Sequence, residues 1–121
     1  MSEITYASVK VGDVIPALTK DEIIRTTLGL FAGASGDHNP IHIDIDFARA
    51  AGMEDVFAHG MLSMAYLAQI LTNWVPQTAL RSYAVRFTAI THLKDRISCS
   101  GEITEKFQEN KDEYLAKDGT I

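Results

Sequence analysis

The sequence predicts an α+β domain in which an antiparallel β-sheet packs around one central helix. Three observations predict it. Helical signals fill the first half of the chain, and an apolar period of two replaces them beyond Leu80. Between the two lies Gly60–Leu80, "GMLSMAYLAQILTNWVPQTAL", which contains no Asp, Glu, Lys or Arg. A helix that apolar on all sides is a core helix rather than a surface one. Helices first, strands later and one helix too apolar for water define the class.

The elements follow in order. Thr19 and Glu22 form the capping box "TKDE", which predicts a helix start. Ile24, Leu28 and Phe31 recur at helical spacing and mark its buried face. Gly33 and Gly36 weaken its end, with Gly36 suited to the position just past the last turn, so that Asp37 falls beyond a helix C-terminus. Asn39-Pro40 is a turn dipeptide. Asp44 or Asp46 can cap a short helix, "FARAA", which Gly52 stops. The uncharged helix then runs from about residue 60 to 74, and Pro76 and Gln77 end it. Tyr83, Val85, Phe87 and Ala89 alternate with Ser82, Ala84, Arg86 and Thr88 as in a half-buried strand. Ile97, Cys99, Gly101 and Ile103 alternate with Arg96, Ser98, Ser100 and Glu102 in a second strand. A third run, "EYLA", leads into Asp118-Gly119, a hairpin-turn signal followed by almost no returning arm.

The chain reads as a single domain over residues 1–121, with no repeats and no linker-like composition. Its formal net charge of −5 and the lack of any Lys/Arg run exclude a nucleic-acid footprint. The polar residues Ser63, Gln69, Thr72, Asn73 and Gln77 break the uncharged segment short of a membrane span. One cysteine, Cys99, cannot form an internal disulfide and fits a reducing cytoplasm, and no signal peptide is visible.

Residues 35–44, "SGDHNPIHID", gather two acids, two histidines, an Asn and a Pro. Three readings stand. His38 and His42 are four apart, as two metal ligands on one helical face would be, but Pro40 between them argues for a turn, and no HExxH or cysteine pair is present. Asp37 and His42 are five apart across a turn, so both can reach one small molecule and activate a water. The third reading is a polar turn that satisfies its own backbone, with His42 a hydrogen-bonded core histidine.

"FAGASGDHNPIHIDIDFARAAGM" followed by "FAHGMLSMAYL" resembles the MaoC-like, (R)-specific enoyl-thioester hydratase/dehydratase family of hotdog-fold proteins. The Ser-Gly-Asp, Asn-Pro and aliphatic-His elements, an Ala-rich helix and a His-Gly helix start stand in the family's order in residues 31–61, and "VRFTAIT" resembles its next strand. The resemblance covers roughly residues 8–105. It implies a sheet around a long central helix, with Asp37 and His42 as the catalytic pair holding water. Gly60 is implied as the backbone N–H donor to the thioester carbonyl, and Asn39 as a support of the turn. A helix N-terminus has free N–H groups and positive partial charge, which suits that role of Gly60. The implied reaction is reversible hydration of trans-2-enoyl thioesters, on CoA or acyl carrier protein, to (R)-3-hydroxyacyl thioesters, with no metal and no redox cofactor. His38 then faces solvent and His59 shapes the loop. Trp74, Met61, Met64 and Tyr66 belong to the core or the acyl lining, and Cys99 is buried and inert.

The chain departs from that family after residue 105, where "EKFQENKDEYLAKDGTI" reads as a compressed hairpin with its last strand missing. An open edge of that kind implies a partner, a second copy or a different hotdog subunit, or else a truncated chain. Two other functions are carried alongside: a hotdog thioesterase, which would release free thiol, and a non-catalytic acyl-thioester-binding subunit.

Overall fold

A computed structural model describes residues 3–109 and 112–120. In chain order it contains β1 (Val14–Glu22), α1 (Arg25–Ser35), a single 3₁₀ turn (Pro40–His42) and α2 (Ile45–Ala50). These are followed by α3 (Gly60–Thr72), a second 3₁₀ turn (Gln77–Ala79), β2 (Arg96–Glu109) and β3 (Asp112–Thr120). The sheet order is β1-β2-β3, with β2 and β3 antiparallel. Pro16, which has no N–H to give, lies in an edge strand, where its missing donor is tolerated.

The chain falls into two compact units. The first comprises Met1–Thr19, Tyr66–Tyr83 and Ser98–Ile121. In it Gly12 donates to the Ile103 carbonyl at 2.7 Å and Ile103 donates to that of Asp13 at 2.9 Å, tying the approach to β1 to the middle of β2. The β2–β3 ladder slips by one residue between Ile103 and Glu105. Val9, Ile15, Ile70, Leu71, Cys99 and Ile103 are buried here.

The second unit comprises Lys20–Ala65 and Ala84–Ile97. Ile23 and the turn after His92 exchange backbone bonds, Ile23 N–H to Asp95 O at 2.8 Å and Lys94 N–H to Ile23 O at 2.7 Å. Ala58 N–H to Thr91 O at 2.8 Å and an antiparallel bridge between Phe57 and His92 fix the loop that enters α3. Ile23, Leu28, Ala32, Ala48, Val56, Ala58, Leu62 and Ile97 are its buried apolar residues.

Several sequence expectations hold at residue level. Gly36 closes α1 with φ 79°, the left-handed conformation that glycine adopts without Cβ strain. Asp44 caps α2 by accepting from the N–H groups of Asp46 and Phe47, and Gly52 follows with φ 93°. In β2, Ile97, Cys99 and Ile103 are buried while Arg96, Ser98, Ser100 and Glu102 are exposed.

Three do not. Thr19–Glu22 is no capping box: these residues end strand β1, Thr19 Oγ1 meets Ser98 Oγ at 3.3 Å, and α1 starts later, after Ile24, with no side-chain cap. The four-residue motif is short, and long-range pairing overrides it. Tyr83–Ala89 forms no ladder among the described residues; Tyr83 and Val85 are half-buried, but alternation records one covered face and cannot supply a partner strand. Asp118-Gly119 is not a turn. Both lie in β3, opposite Glu102 and Gly101, so β3 is itself the returning arm.

Candidate active site

The site is built on the exit of α1. Gly36 reverses the chain, and the segment after it bonds to itself. Asp37 N–H donates to Ser35 Oγ at 3.2 Å, Asn39 N–H to Asp37 Oδ1 at 3.2 Å, and Ile41 N–H to Asn39 Oδ1 at 3.1 Å. Asn39 thus caps the turn through Oδ1, and Pro40 opens the 3₁₀ turn that delivers His42. Asp37 is exposed and His42 is half-buried.

The His42 ring is held from two sides. Its Nδ1 lies 2.8 Å from the Phe57 carbonyl oxygen, and Phe57 meets the ring edge-on at 5.0 Å. A carbonyl oxygen only accepts, so Nδ1 carries the hydrogen and Nε2 of the neutral ring is left with a lone pair. That is the form of a general base.

His59 is the residue whose place beside the pair the sequence does not reveal. Expected only to shape a loop, it is 1% exposed and stacks on His42, with ring centroids 4.1 Å apart and planes inclined by 29°. Phe31 closes its other side edge-on at 4.9 Å. Its Nε2 lies 3.1 Å from the Asp37 carbonyl oxygen. Burial holds its pKa below the ordinary histidine value; the nearby charge of His42 acts in the same direction, while the Asp37 carbonyl and carboxylate act against it. One signal for this was present: "VFAHGM" places a histidine in an apolar run directly before a buried helix.

Asp37, His42 and His59 each bring one oxygen or nitrogen to within 4.8 Å of the others. One carboxylate and two imidazoles are a ligand chemistry suited to a divalent cation. The same groups can instead hold a water, whose proton the bare Nε2 of His42 can take. His38, also a candidate ligand by spacing, is exposed, with its Nδ1 3.3 Å from the Gly36 carbonyl oxygen.

Gly60 is the first residue of α3, where N–H groups have no intrahelical acceptor. It is exposed, and a Cβ placed on it would come within 3.3 Å of the Phe87 ring. Glycine therefore keeps the helix start open beneath that ring. Arg25 grips Asp55 through both guanidinium NH₂ groups, tying the first turn of α1 to the loop that carries His59 and Gly60.

Comparisons agree with this architecture. The solved structure of R-hydratase PhaJ1 from Pseudomonas aeruginosa superposes with a TM-score of 0.77 at 26% identity, over 98% of this chain and 91% of that one. The fold is therefore the α+β hotdog fold. Residues 8–120 match the MaoC like domain, and the chain belongs to that family. The mitochondrial 3-hydroxyacyl-[acyl-carrier-protein] dehydratase of Arabidopsis thaliana is 30% identical over 113 residues, covering 92% of this chain and 65% of that protein. The (R)-specific enoyl-CoA hydratase of Rhodospirillum rubrum is 29% identical over 91 residues, covering 74% of this chain and 63% of that protein. The chain thus spans just under two-thirds of these two relatives, and only 5% of the Saccharomyces cerevisiae fatty acid synthase subunit beta, to which it is 32% identical.

Proposed function

We propose that the protein is a hydro-lyase that adds water to trans-2-enoyl thioesters, giving (R)-3-hydroxyacyl thioesters, and catalyses the reverse dehydration. One observation carries this reading. The fold brings Asp37, from the end of α1, beside His42, whose Nε2 lone pair is free because Nδ1–H is committed to Phe57. The names of the Arabidopsis and Rhodospirillum relatives support the thioester substrate class.

In this reaction Asp37 and His42 hold one water and take a proton from it. The water oxygen attacks C3, electron density moves onto the thioester oxygen, and the N–H of Gly60 at the start of α3 stabilises that charge. A preorganised donor of this kind is worth about 3 kcal/mol. A proton delivered to C2 completes the addition. The oxygen of water goes to C3 and its proton to C2, so the addition balances without an oxidant. Asn39 keeps the turn in the geometry that presents the pair.

Residues 1–121 act here as one hotdog domain in the cytoplasm, where the single buried Cys99 suits a reducing compartment. Among the described residues no helix is long and apolar enough to cross a membrane. The partner is a second hotdog subunit, identical or different.

The test is to mix purified protein with crotonyl-CoA and follow enoyl absorbance and free thiol together. Loss of absorbance without thiol, and (R)-3-hydroxybutyryl-CoA as product, is expected. Thiol release would make the protein a thioesterase, and binding without turnover at any chain length, alone or with a hotdog partner, would make it a binding subunit.

A further inference from the structure

The Asp37–His42 pair leaves the buried His59 without a task. His59 is held on three sides: its Nε2 is 3.1 Å from the Asp37 carbonyl oxygen, its ring lies on His42 at 4.1 Å, and Phe31 abuts it at 4.9 Å. Since that carbonyl can only accept, Nε2 carries the hydrogen and Nδ1 is bare. Nδ1 is buried, with no hydrogen-bond partner among the described residues. An unsatisfied buried polar atom is a standing cost that a Phe or Leu at this position would avoid. The polar ring therefore needs a use that offsets it.

Two contacts point to that use. The Nε2–H tethers the main chain of Asp37, an exposed residue on a turn. The flat face lies on the His42 ring and, with the edge-on Phe57 ring, sets the plane of that ring. His59 is also the residue directly before Gly60, so one side chain ties the turn, the base and the helix start together.

We propose that His59 is a positioning residue for the hydration reaction, its Nε2–H holding the Asp37 backbone and its neutral ring aligning His42. The assignment rests on the hydro-lyase reading above. The titratable groups that act on the ring are Asp37 and His42. A second imidazolium against His42 would repel it, whereas a neutral ring offers a π face to the cation formed when His42 takes the proton of water. His59 works by staying uncharged.

Two measurements test this. In the wild-type protein, ring ¹⁵N chemical shifts should show His59 as a single neutral tautomer, protonated at Nε2, from pH 8 down to below the usual histidine value of about 6.5. In turnover, His59→Phe keeps a ring and loses the N–H, while His59→Gln keeps an N–H of similar reach and loses the ring. Each should lower kcat by about tenfold or more, as small misplacements of catalytic groups do, with KM changed less than about threefold. Both variants retaining wild-type kcat would overturn the assignment. So would a His59 ring that titrates at the ordinary value or populates both tautomers. The spectroscopic arm needs no turnover and no variant, so failure of the hydro-lyase reading and failure of this one are separately visible.

Discussion

Gly60 and Phe87 make a pair in which the missing side chain matters. A methyl group at residue 60 would meet the Phe87 ring at 3.3 Å, tighter than a relaxed contact, but the ring is 55% exposed and free to give way. Gly60→Ala is therefore expected to leave thermal stability within about 1 kcal/mol of wild type, the range of a Gly→Ala change at a tolerant site. It should nonetheless lower kcat/KM about tenfold, because the displaced ring and the new methyl group crowd the approach to the residue 60 N–H. Adding Phe87→Ala should recover most of that loss, as measured by enoyl-CoA kinetics. A double variant no better than Gly60→Ala would show that the ring does not bound the approach.

At the scale of elements, local chemistry was legible in the sequence and long-range pairing was not. Asp44 capping α2, Gly36 and Gly52 in left-handed turns, and the uncharged α3 all depend on residues a few positions apart, and all stand where the sequence predicts them. The end of β1, Thr19–Glu22, reads as a helix start because nothing local in "ALTKDE" reveals its neighbour β2. The β2–β3 ladder pairs Ser100 with Thr120, and Asp118-Gly119 looked like a turn only because its strand partners lie far back in the chain. The same limit applies to the site. Asp37 and His42 share one turn and one motif, whereas His59 joins them only when α3 is placed. A prediction at this scale concerns the cap: Asp44→Ala should cost about 0.5–2 kcal/mol in urea unfolding, the usual range for a lost N-cap. Its effect on kcat should be small, since α2 contributes no residue to the site.

For the whole molecule, His59 links folding to pH. Its pKa in the fold lies below the ordinary value because burial opposes the charge, so below about pH 6.5 the unfolded chain binds a proton that the folded one does not. Stability is then full above that pH and falls as pH drops through the window between the ordinary and the lowered value. Thermal unfolding at pH 7.5 and pH 5.5 should show the loss, and His59→Phe should reduce it. An equal pH dependence in that variant would assign the effect to other groups.

The central claim is that Asp37 and His42 act as one unit on one water. Enoyl-CoA hydration rates for wild type, Asp37→Asn, His42→Ala and the double variant test it most directly. Each single change should cut kcat by about 10²–10⁴, the usual contribution of a positioned acid/base group, and the double variant should be scarcely slower than either, because residues that share one step are not additive. A single variant retaining most of the wild-type rate, or losses that multiply in the double variant, would contradict it.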